Sequence, residues 1–439
     1  TIRSTRRYFL KAIQGKRLFA GIHPHGRKQL SSGKPLEQLP PPEEVCISLS
    51  QSLGRPALPC VEKGAKVKRG ECIAKADGAI SSDVFASIAG EVTDIRTMTA
   101  QGGGEETFLV IRADHSGEEF RFPALSDPTP EEIRARVKEC GIVGLGGAGF
   151  PTAVKLSPPC PVDTLILNGA ECEPYLTCDH RLMLEFTDEI VRGARYLKQA
   201  LDCKRIIIGI EDNKPDCISA FERYPDIAVV RLRKQYPMGG EKQLVYSATG
   251  RKIRPGKLPA DAGVVVQNVA TAFAVSEAVE QGKPLYERAV TVSGGAVNEP
   301  RNVWTPVGTP LSALVSFAGG EKTSPSKIVQ GGPMTGIALP SYDFYTHKTT
   351  SGVLLLDEKE ASLSEPSPCL SCGKCADACP MHLMPMQTDF YAEAGDYEAA
   401  AKQGGALHCI ECGVCAYVCP ARRPLIQSIR KTKQEMRKK

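Results

Sequence analysis

The pattern of hydrophobic and polar positions divides the chain into regions of different texture. Between residues 45 and 122, short apolar pieces such as Val67, Ile88 and Val92 stand among scattered glycines. Short strands joined by tight turns produce this pattern. We therefore predict a small all-β unit here, preceded by a proline-rich connector at residues 35–42.

The next region alternates between β-rich apolar runs and helical patterns. Thr129, Pro130 and Glu132 form the start signal of a first helix that ends near Cys140. Strands are then predicted at residues 164–167, 206–210, 228–232 and 264–267, and helices at residues 181–200, 218–224, 241–249 and 270–281. Such alternation predicts an α/β layer built on a mostly parallel sheet.

The remaining sequence predicts two further units. Residues 288–341 carry strand patterns around Val290, Val303 and Ile328 and one short helix, which indicates a small α+β module. A strand at residues 353–356 leads into a cysteine-rich region, which is expected to be helical and to end in a basic helix. The predicted units are a basic segment with its connector at residues 1–42, a β domain at 43–125, an α/β domain at 126–286, an α+β domain at 287–345 and a cysteine domain at 346–439.

Composition narrows the class of protein. Of 439 residues, 42% are apolar and 24% are charged, and the net charge is +5, so the profile is globular and does not argue for nucleic-acid binding. No run approaches the ~18 apolar residues that cross a bilayer. The 17 cysteines are unevenly placed. In a chain of this size, clustered cysteines indicate metal sites in a reducing compartment rather than a secreted disulfide scaffold.

The first residues allow three interpretations. Residues 5–11 match the twin-arginine export pattern, but Gln14, Lys16 and Arg17 interrupt the apolar segment that an export signal needs. A basic amphipathic helix over residues 1–18 would rest on an anionic membrane surface. A loose basic tail is the third interpretation, and the sequence does not choose between it and the helix.

Two cysteine motifs carry the clearest chemistry. Each has the spacing C-x2-C-x2-C-x3-C-P, which bacterial ferredoxins use to hold two [4Fe–4S] clusters, and the fourth cysteine of each motif ligates the other cluster. We therefore predict that one cluster is held by Cys369, Cys372, Cys375 and Cys419, and the other by Cys379, Cys409, Cys412 and Cys415. Zinc fits this spacing poorly, because its four ligands usually come as two separated pairs.

A glycine-rich loop, Gly144-Leu145-Gly146-Gly147-Ala148-Gly149, satisfies G-x-G-x-x-G. The dinucleotide fingerprint requires a strand before such a loop. Here the predicted helix at residues 131–140 comes first, so a simple Rossmann motif is rejected. Free backbone N–H groups in such a loop suit a phosphate, although an ordinary tight loop is the alternative.

The surroundings of this loop resemble a known family. Residues 141–155 are similar to the flavin loop of the NADH-oxidising subunit of respiratory complex I, and residues 168–174, 236–241 and 267–271 resemble its next three flavin elements in the same order. Residues 61–70 and 89–92 resemble a lipoyl- or biotinyl-type barrel-sandwich domain, without a carrier lysine at the expected tip. With the twin-cluster domain added, the whole chain resembles the RnfC family, the C subunits of the Rnf electron-transport complexes.

The resemblance implies roles for individual residues. Two positions depart from the complex I pattern, since Ala170 and Gly240 stand where that family has acids. The implied roles are FMN phosphate and ribityl binding by Gly144, Gly146, Gly147 and Lys155, flavin anchoring by Asn168, Glu171 and Asn268, adenine stacking by Phe150, and dinucleotide contacts by Glu173 and Glu241. Gly149, Gly239, Gly240 and Thr271 complete the predicted cofactor-binding set.

The resemblance also implies an architecture and a function. The expected fold is a multidomain α/β protein with a barrel-sandwich-like β domain, a Rossmann-like FMN/NADH domain, a β-grasp-like module and a helical twin-cluster ferredoxin-type domain. The expected protein is a peripheral subunit on the cytoplasmic face of the membrane. It would pass electrons between NAD(H), FMN and two [4Fe–4S] clusters, with other Rnf subunits as direct partners and ferredoxin as an indirect one.

Two other functions stay open at this point. One is a soluble, related flavin and iron–sulfur cobalamin reductase, although in those relatives the flavin domain comes first. The other is a structural subunit that kept the clusters but lost the flavin, and the intact flavin loop speaks against it.

Overall fold

The first part of the chain joins sheets that belong to other regions. The computed structural model describes residues 12–361 and 365–438. Strand β1 (Ile13–Gln14) pairs with Val230 and Arg231, and β2 (Leu36–Gln38) pairs with residues 302–304. The amphipathic helix, one of the interpretations left open for residues 1–18, is therefore wrong at Ile13 and Gln14, because these residues form an edge strand. Its first eleven residues lie outside the described residues.

Two small sheets form the β unit that the sequence predicted. Its strands are β3 (Glu44–Ser48), β4 (Leu58–Pro59), β5 (Lys66–Val67), β6 (Cys72–Lys75), β7 (Val84–Phe85), β8 (Gly90–Thr99) and β9 (Glu105–Ala113). One sheet has the order β3-β9-β8-β5 and the other β4-β6-β7. Alternating residues such as Val45, Ile47, Leu109 and Ile111 fill one apolar core between them. The loop between β6 and β7, where a carrier domain would display its lysine, has none.

The α/β region contains a wholly parallel sheet. Its elements are α1 (Pro130–Glu139), α2 (Thr152–Lys155), β10 (Thr164–Gly169), α3 (Cys178–Glu185), α4 (Thr187–Leu201), β11 (Arg205–Glu211), α5 (Pro215–Phe221), β12 (Ile227–Leu232), α6 (Glu241–Thr249), β13 (Val264–Asn268) and α7 (Val269–Gln281). The sheet order is β1-β12-β11-β10-β13. Successive strand residues belong to different cores, with Ile208 on one face and Ile207 on the other, so both faces are covered.

The sequence placed one continuous helix at residues 181–200, and the structure shows two. Helix α3 ends before Phe186, whose backbone leaves the helical region with φ −128° and ψ 40°. The ring of Phe186 contacts the rings of Phe273 and Trp304. The break between α3 and α4 therefore coincides with packing between distant regions of the chain, which the local sequence pattern does not reveal.

A third sheet combines strands that are distant in sequence. Its elements are β14 (Glu287–Ser293), β15 (Arg301–Pro306), α8 (Leu311–Phe317), β16 (Lys327–Gln330), β17 (Ile337–Leu339) and β18 (Gly352–Leu356), and its order is β17-β16-β18-β14-β15-β2. Strand β18 was predicted to open the cysteine domain, but it lies in the middle of this sheet. The predicted boundary at residue 346 is therefore wrong, because β18 pairs within the third sheet. Residues 35–42 are not merely a connector, because β2 pairs with β15.

The cysteine domain is helical, as the sequence predicted. It contains α9 (Lys374–Asp377), α10 (Pro385–Glu393), α11 (Tyr397–Gln403), α12 (Val414–Val418) and α13 (Leu425–Arg437). Its main core is small and includes the cysteines themselves, with Cys375 and Cys415 beside Ala406, Leu425 and Ile429. Within residues 12–361 and 365–438, no helix combines the length and the apolar character needed to cross a bilayer.

Candidate functional site

The parallel sheet has one topological switch point, between β10 and β13. From β10 the chain continues to β11 and β12 on one side, and then places β13 on the other side. Ligands of open α/β sheets bind in the crevice beyond the carboxyl ends of the strands at such a point. Asn168 and Asn268, two predicted flavin-anchoring residues, lie at the carboxyl ends of these strands and are direct partners in the ladder. The structure therefore brings them together at the position that the topology favours.

The glycine loop reaches this switch point. Val143 and Pro151 close its base through an isolated bridge, and the Gly144 amide donates to the Phe150 carbonyl at 2.9 Å. The Leu145 amide donates to Oγ1 of Thr271 at 3.0 Å, which ties the loop to the start of α7. This contact gives Thr271 a defined position in the predicted site.

Glycine is required at two positions of the loop. Gly147 has φ +123° and Gly149 has φ +64°, a backbone region that residues with a Cβ rarely adopt. A Cβ added at Gly149 would also lie 2.8 Å from the Thr349 side chain. The loop therefore needs these glycines for its own conformation.

Part of the loop has unused hydrogen-bond donors. Gly146, Gly147 and Ala148 are exposed, and their amides have no acceptor among the described residues. A Cβ at Gly146 would lie 3.4 Å from Cβ of Asn268, so the loop passes close over the strand end. Consecutive unpaired amides beside a strand end form an anion-binding concavity. These residues therefore fit the phosphate of a flavin nucleotide.

The third predicted element completes the crevice. Nδ2 of Asn168 donates to the Gly239 carbonyl at 2.9 Å. Nζ of Lys155 contacts Oε1 of Glu241 at 2.8 Å and the Val266 carbonyl at 3.2 Å. Glu241 is the first residue of α6 and follows the N-cap Gly240. All four predicted flavin elements therefore meet at the carboxyl edge of the sheet.

Three predicted residues have other surroundings. Phe150 is half-buried at the base of the loop, where its carbonyl accepts from Gly144. Glu171 accepts from the Asp179 amide at 2.7 Å, at the start of α3. Glu173 accepts from the amides of Met334 and Thr335, at 3.1 and 2.9 Å, so its carboxylate binds the third region of the chain.

A buried group of charges supports the second flavin element. Lys28 donates to the carbonyls of Glu173 and Leu176 and lies 3.5 Å from Oε2 of Glu171, an oxygen that has no hydrogen-bond partner in the part of the chain that the structure describes. Burial raises the pKa of Glu171, and Lys28 opposes the rise. Burial likewise raises the pKa of Glu211, at the end of β11, to about 7, and Lys214 opposes that rise.

Sequence analysis missed several residues of this region. Lys28 lies in the basic segment before the connector at residues 35–42, and no local pattern marks it. Asp179 accepts from Nδ2 of Asn268 at 2.7 Å, and its only sequence signal is its place beside the second flavin element. Tyr236 and Cys172, which stand inside the predicted elements, were given no role, although Tyr236 is buried between this crevice and the cysteine domain and the half-buried Cys172 packs beside it.

A small apolar cavity lies among three cysteines of the second motif and the fourth cysteine of the first motif. Cys379, Cys409, Cys412 and Cys415 line it together with Val414, and these four cysteines are the set predicted for one cluster. Burial raises the pKa of the Cys409, Cys412 and Cys415 thiols, to about 12 for Cys412, and Cys379 adds to the rise in all three. Sulfur donors in an apolar cavity suit thiolate ligands of an iron–sulfur cluster, whose positive iron offsets the cost of burying thiolates.

The first motif has a more open environment. Cys369 and Cys372 are exposed, whereas Cys375 is buried. Cys419 contributes to the raised pKa of Cys375, after burial and local amides, so the fourth cysteine of the second motif lies beside the first. The fourth cysteine of each motif therefore lies near the other motif, as the predicted ligand sets require.

Backbone amides contact the sulfurs in both motifs. The Ser371 amide donates to Sγ of Cys369 at 3.5 Å, and the Glu411 amide to Sγ of Cys409 at 3.2 Å. Both donors have positive φ, 53° and 55°. Such amide donors are among the groups that tune a cluster's reduction potential.

Family comparisons divide the chain as the structure does. The families described as "RnfC Barrel sandwich hybrid domain", "Nuo51 FMN-binding domain", "SLBB domain" and "4Fe-4S dicluster domain" match residues 16–116, 137–277, 289–338 and 362–420. The second match contains the glycine loop and the switch point, and the fourth contains both cysteine motifs. The chemistry inferred from each region thus agrees with the family that matches it.

Curated relatives extend over nearly the whole chain. The C subunit of the proton-translocating ferredoxin:NAD(+) oxidoreductase complex of Clostridium ljungdahlii is 43% identical, over 98% of this chain and 94% of the relative. The C subunit of the Na(+)-translocating complex of Acetobacterium woodii is 40% identical, over 95% of this chain and 96% of the relative. The C subunit of the ion-translocating oxidoreductase complex of Rhodobacter capsulatus is 40% identical, over 89% of this chain and 78% of the relative.

Proposed function

Because this chain belongs to the RnfC family, the C subunits of ion-translocating ferredoxin:NAD⁺ oxidoreductase complexes, we propose that it is the subunit that reacts with NAD(H). It passes electrons between NAD(H), FMN and two [4Fe–4S] clusters. The observation that carries this proposal is the meeting of the four flavin elements at the switch point, with the second cysteine motif packed against the same domain. Partner subunits couple this electron transfer to ion translocation.

The flavin crevice binds and orients the cofactor. The unpaired amides of the glycine loop, together with Lys155, hold the FMN phosphate. Asn168 and Asn268 hold the flavin further along, and Thr271 fixes the loop above them. FMN, when bound, exchanges two electrons with NAD(H) as a hydride and passes single electrons on.

The nicotinamide dinucleotide binds over the same crevice. Phe150 stacks on its adenine, and Glu241 contacts it from the start of α6 while Lys155 balances the carboxylate charge. We assign Glu173 a structural role, because its carboxylate already accepts hydrogen bonds from the amides of residues 334 and 335. No side chain of the chain is required as a nucleophile.

The cysteines hold the clusters in two crossed sets. One set is Cys369, Cys372, Cys375 and Cys419, and the other is Cys379, Cys409, Cys412 and Cys415. Because each motif contributes one ligand to the other's cluster, the two clusters lie close together, which suits electron hopping between them. The chain thereby connects a two-electron site to a one-electron exit.

Finer features of the architecture belong to the same proposal. The flavin-binding region is Rossmann-like in its parallel sheet, and the SLBB region, extended by β2 and β18, is β-grasp-like. We place the protein peripherally on the cytoplasmic face of the membrane, where other subunits of the complex bind it and ferredoxin exchanges electrons with them.

Anaerobic purification followed by cofactor analysis tests the proposal. We expect about eight irons per chain, in two [4Fe–4S] clusters, one FMN, and bleaching of the cluster absorbance on addition of NADH. An iron content near four, or a protein that retains no flavin when supplied with FMN, would overturn it. Co-purification with membrane subunits separates this function from that of a free-standing cobalamin reductase.

A further inference from the structure

The cysteine domain contacts the flavin-binding domain, and the segment around Gly21 that pairs with it, near one of its two predicted clusters. The Gly21 amide donates to the Ala378 carbonyl at 3.1 Å, one residue before Cys379. Nε2 of Gln243, on α6, donates to the Pro380 carbonyl at 3.4 Å. The Tyr236 hydroxyl donates to the Cys412 carbonyl at 2.8 Å. These contacts reach residues at or beside the ligands of a single predicted cluster.

Tyr236 is the innermost of these contacts. Its side chain is 3% exposed and shares an apolar core with Ile22, Cys412 and Val414, against which Cys172 packs. Sγ of Cys172 accepts from the Gly239 amide at 3.3 Å, and the Gly239 carbonyl accepts from Asn168. Packed and hydrogen-bonded groups therefore run without a gap from the flavin crevice to a cluster ligand.

The other predicted cluster has no comparable contact with the flavin crevice among the described residues. Cys369 and Cys372 are exposed, and Leu370 between them is 64% exposed. Cys375 packs inside the cysteine domain against Leu425 and Ile429. The two predicted clusters therefore differ in position, since the ligands of one lie beside contacts with the flavin domain, whereas Cys369 and Cys372 of the other are exposed.

We propose that the cluster held by Cys379, Cys409, Cys412 and Cys415 is the one next to the flavin, and that Tyr236 is a positioning residue that raises its reduction potential. The inference rests on the proposed cluster ligands but not on the proposed reaction with NADH. On reduction the cluster gains one negative charge. A buried O–H dipole that donates to a ligand's carbonyl favours the state with the additional charge, since donors around a cluster tune its potential.

A second donor acts on the same predicted cluster from α13 of the cysteine domain. Nζ of Lys433 donates to the Cys409 carbonyl at 2.7 Å and pairs with Glu411. Its charge favours the reduced cluster in the same direction as the Tyr236 hydroxyl. Variants at Tyr236 and Lys433 should therefore change the same cluster, although the residues lie 197 positions apart in sequence.

Potentiometric titration of the purified chain, followed by electron paramagnetic resonance, tests the proposal. We expect Y236F to lower the midpoint potential of one cluster and to leave the other unchanged, with the iron and FMN contents of the wild type. K433M should lower the same midpoint, and by more, because it removes a full charge. Y417F is the matched control, since it deletes the hydroxyl of a half-exposed tyrosine in the cysteine domain and should move neither midpoint.

Two outcomes would overturn the proposal. The first is a Y236F protein with both midpoints unchanged while K433M shifts one of them. The second is a Y236F protein in which the shifted midpoint potential belongs to the cluster that K433M leaves unchanged. If Y236F loses iron, 3-fluorotyrosine at position 236 keeps the ring and donates more strongly, so it should raise the same midpoint, and an unchanged midpoint there also contradicts the proposal. Chemical reductants supply the electrons, so failure of the NADH reaction would leave this test intact.

Discussion

The flavin-binding domain and the cysteine domain build their interiors differently. The parallel sheet is covered on both faces by aliphatic side chains, such as Ile208 on one face and Ile207 on the other, and its crevice lies at the edge of that core. The main core of the cysteine domain is small and contains Cys375 and Cys415, which are themselves predicted ligands. The flavin-binding domain therefore has a complete aliphatic core beside its cofactor site, whereas predicted cluster ligands form part of the core of the cysteine domain.

This difference predicts different responses to cofactor loss. A domain with a large aliphatic core keeps its stability when a surface crevice is empty, since burial of apolar area supplies the dominant favourable term. A small domain whose core consists partly of metal ligands depends on the metal, and its binding free energy becomes folding free energy. Removing iron should unfold the cysteine domain, and removing FMN should leave the flavin domain folded.

The strongest test replaces one buried cysteine in each domain. Cys415→Ala should lose iron and unfold residues 365–438, because a ligand and part of the core disappear together. Cys217→Ala removes a buried sulfur from the flavin domain and should cost only about 1 kcal/mol. Hydrogen exchange resolved by region, with an iron assay, measures both effects. Equal loss of protection in the two variants would remove the distinction between the domains.

A smaller effect is expected from Lys155→Met in the flavin crevice. Losing a charged donor to the phosphate should weaken FMN binding by roughly 10- to 100-fold, since hydrogen bonds to charged groups are worth about 1.5–3 kcal/mol. The iron content and the melting transition should not change. Flavin fluorescence titration gives the dissociation constant. Lys204→Met, at the exposed turn before β11, is the control, and a comparable loss of affinity there would show that the effect is unspecific.

The flavin domain is connected to the β unit through Lys348, which hydrogen-bonds to both. Its buried ammonium donates to the carbonyl of Gly141, just before the glycine loop, at 2.7 Å. It also donates to the carbonyl of Asp83, in the β unit, at 2.8 Å. Burial lowers the pKa of Lys348 to about 7 from 10.5. The unfolded chain therefore binds more protons between these values, so the free energy of unfolding should rise with pH above about 7, and this gain is lost as the pH falls through about 7.

The pH dependence can be followed with the single tryptophan, Trp304, which contacts Phe186 and Phe273. In anaerobic urea titrations between pH 6.5 and 9, the contribution of Lys348 should not exceed about 1.4 kcal/mol per pH unit. Lys348→Met should flatten the rise. An unchanged slope in the variant would mean that another group causes the pH dependence.

The smallest expected effect concerns the helix before the glycine loop. The Thr129 hydroxyl accepts from the Glu132 amide at 3.3 Å, and the Glu132 carboxylate accepts from the Thr129 amide at 2.7 Å. Thr129→Ala should lower the stability of the flavin domain by about 1 kcal/mol. Thr129→Ser should restore it, and the cysteine domain should keep its iron in both variants. Loss of iron in Thr129→Ala would show that the two domains unfold together.

Local patterns predicted much of the fold. The capping residues Thr129 and Glu132 located α1, and the alternating apolar runs located all four long strands of the parallel sheet. Patterns failed where distant segments pair. Strands β1 and β2 lie in a segment with the pattern of a tail and connector, and β18 was assigned to the wrong domain. Strands β1 and β2 are stabilised by partners far along the chain, so their own residues carry little signal. The residues of β18 did predict a strand, but they do not specify the sheet that it joins.

Sequence alone was sufficient to predict the eight cysteines as cluster ligands, because cluster ligation imposes a spacing that neighbouring residues must satisfy. It also located the glycine loop, since positive φ selects glycine. Only the tertiary structure decided which flavin elements meet, that Glu173 binds residues 334 and 335, and that Lys28 supports the crevice. It also distinguished the two predicted clusters, since Cys412 of one packs against Tyr236, whereas Cys369 and Cys372 of the other are exposed. Spacing reflects local geometry, whereas burial depends on which distant surfaces the folded chain brings into contact.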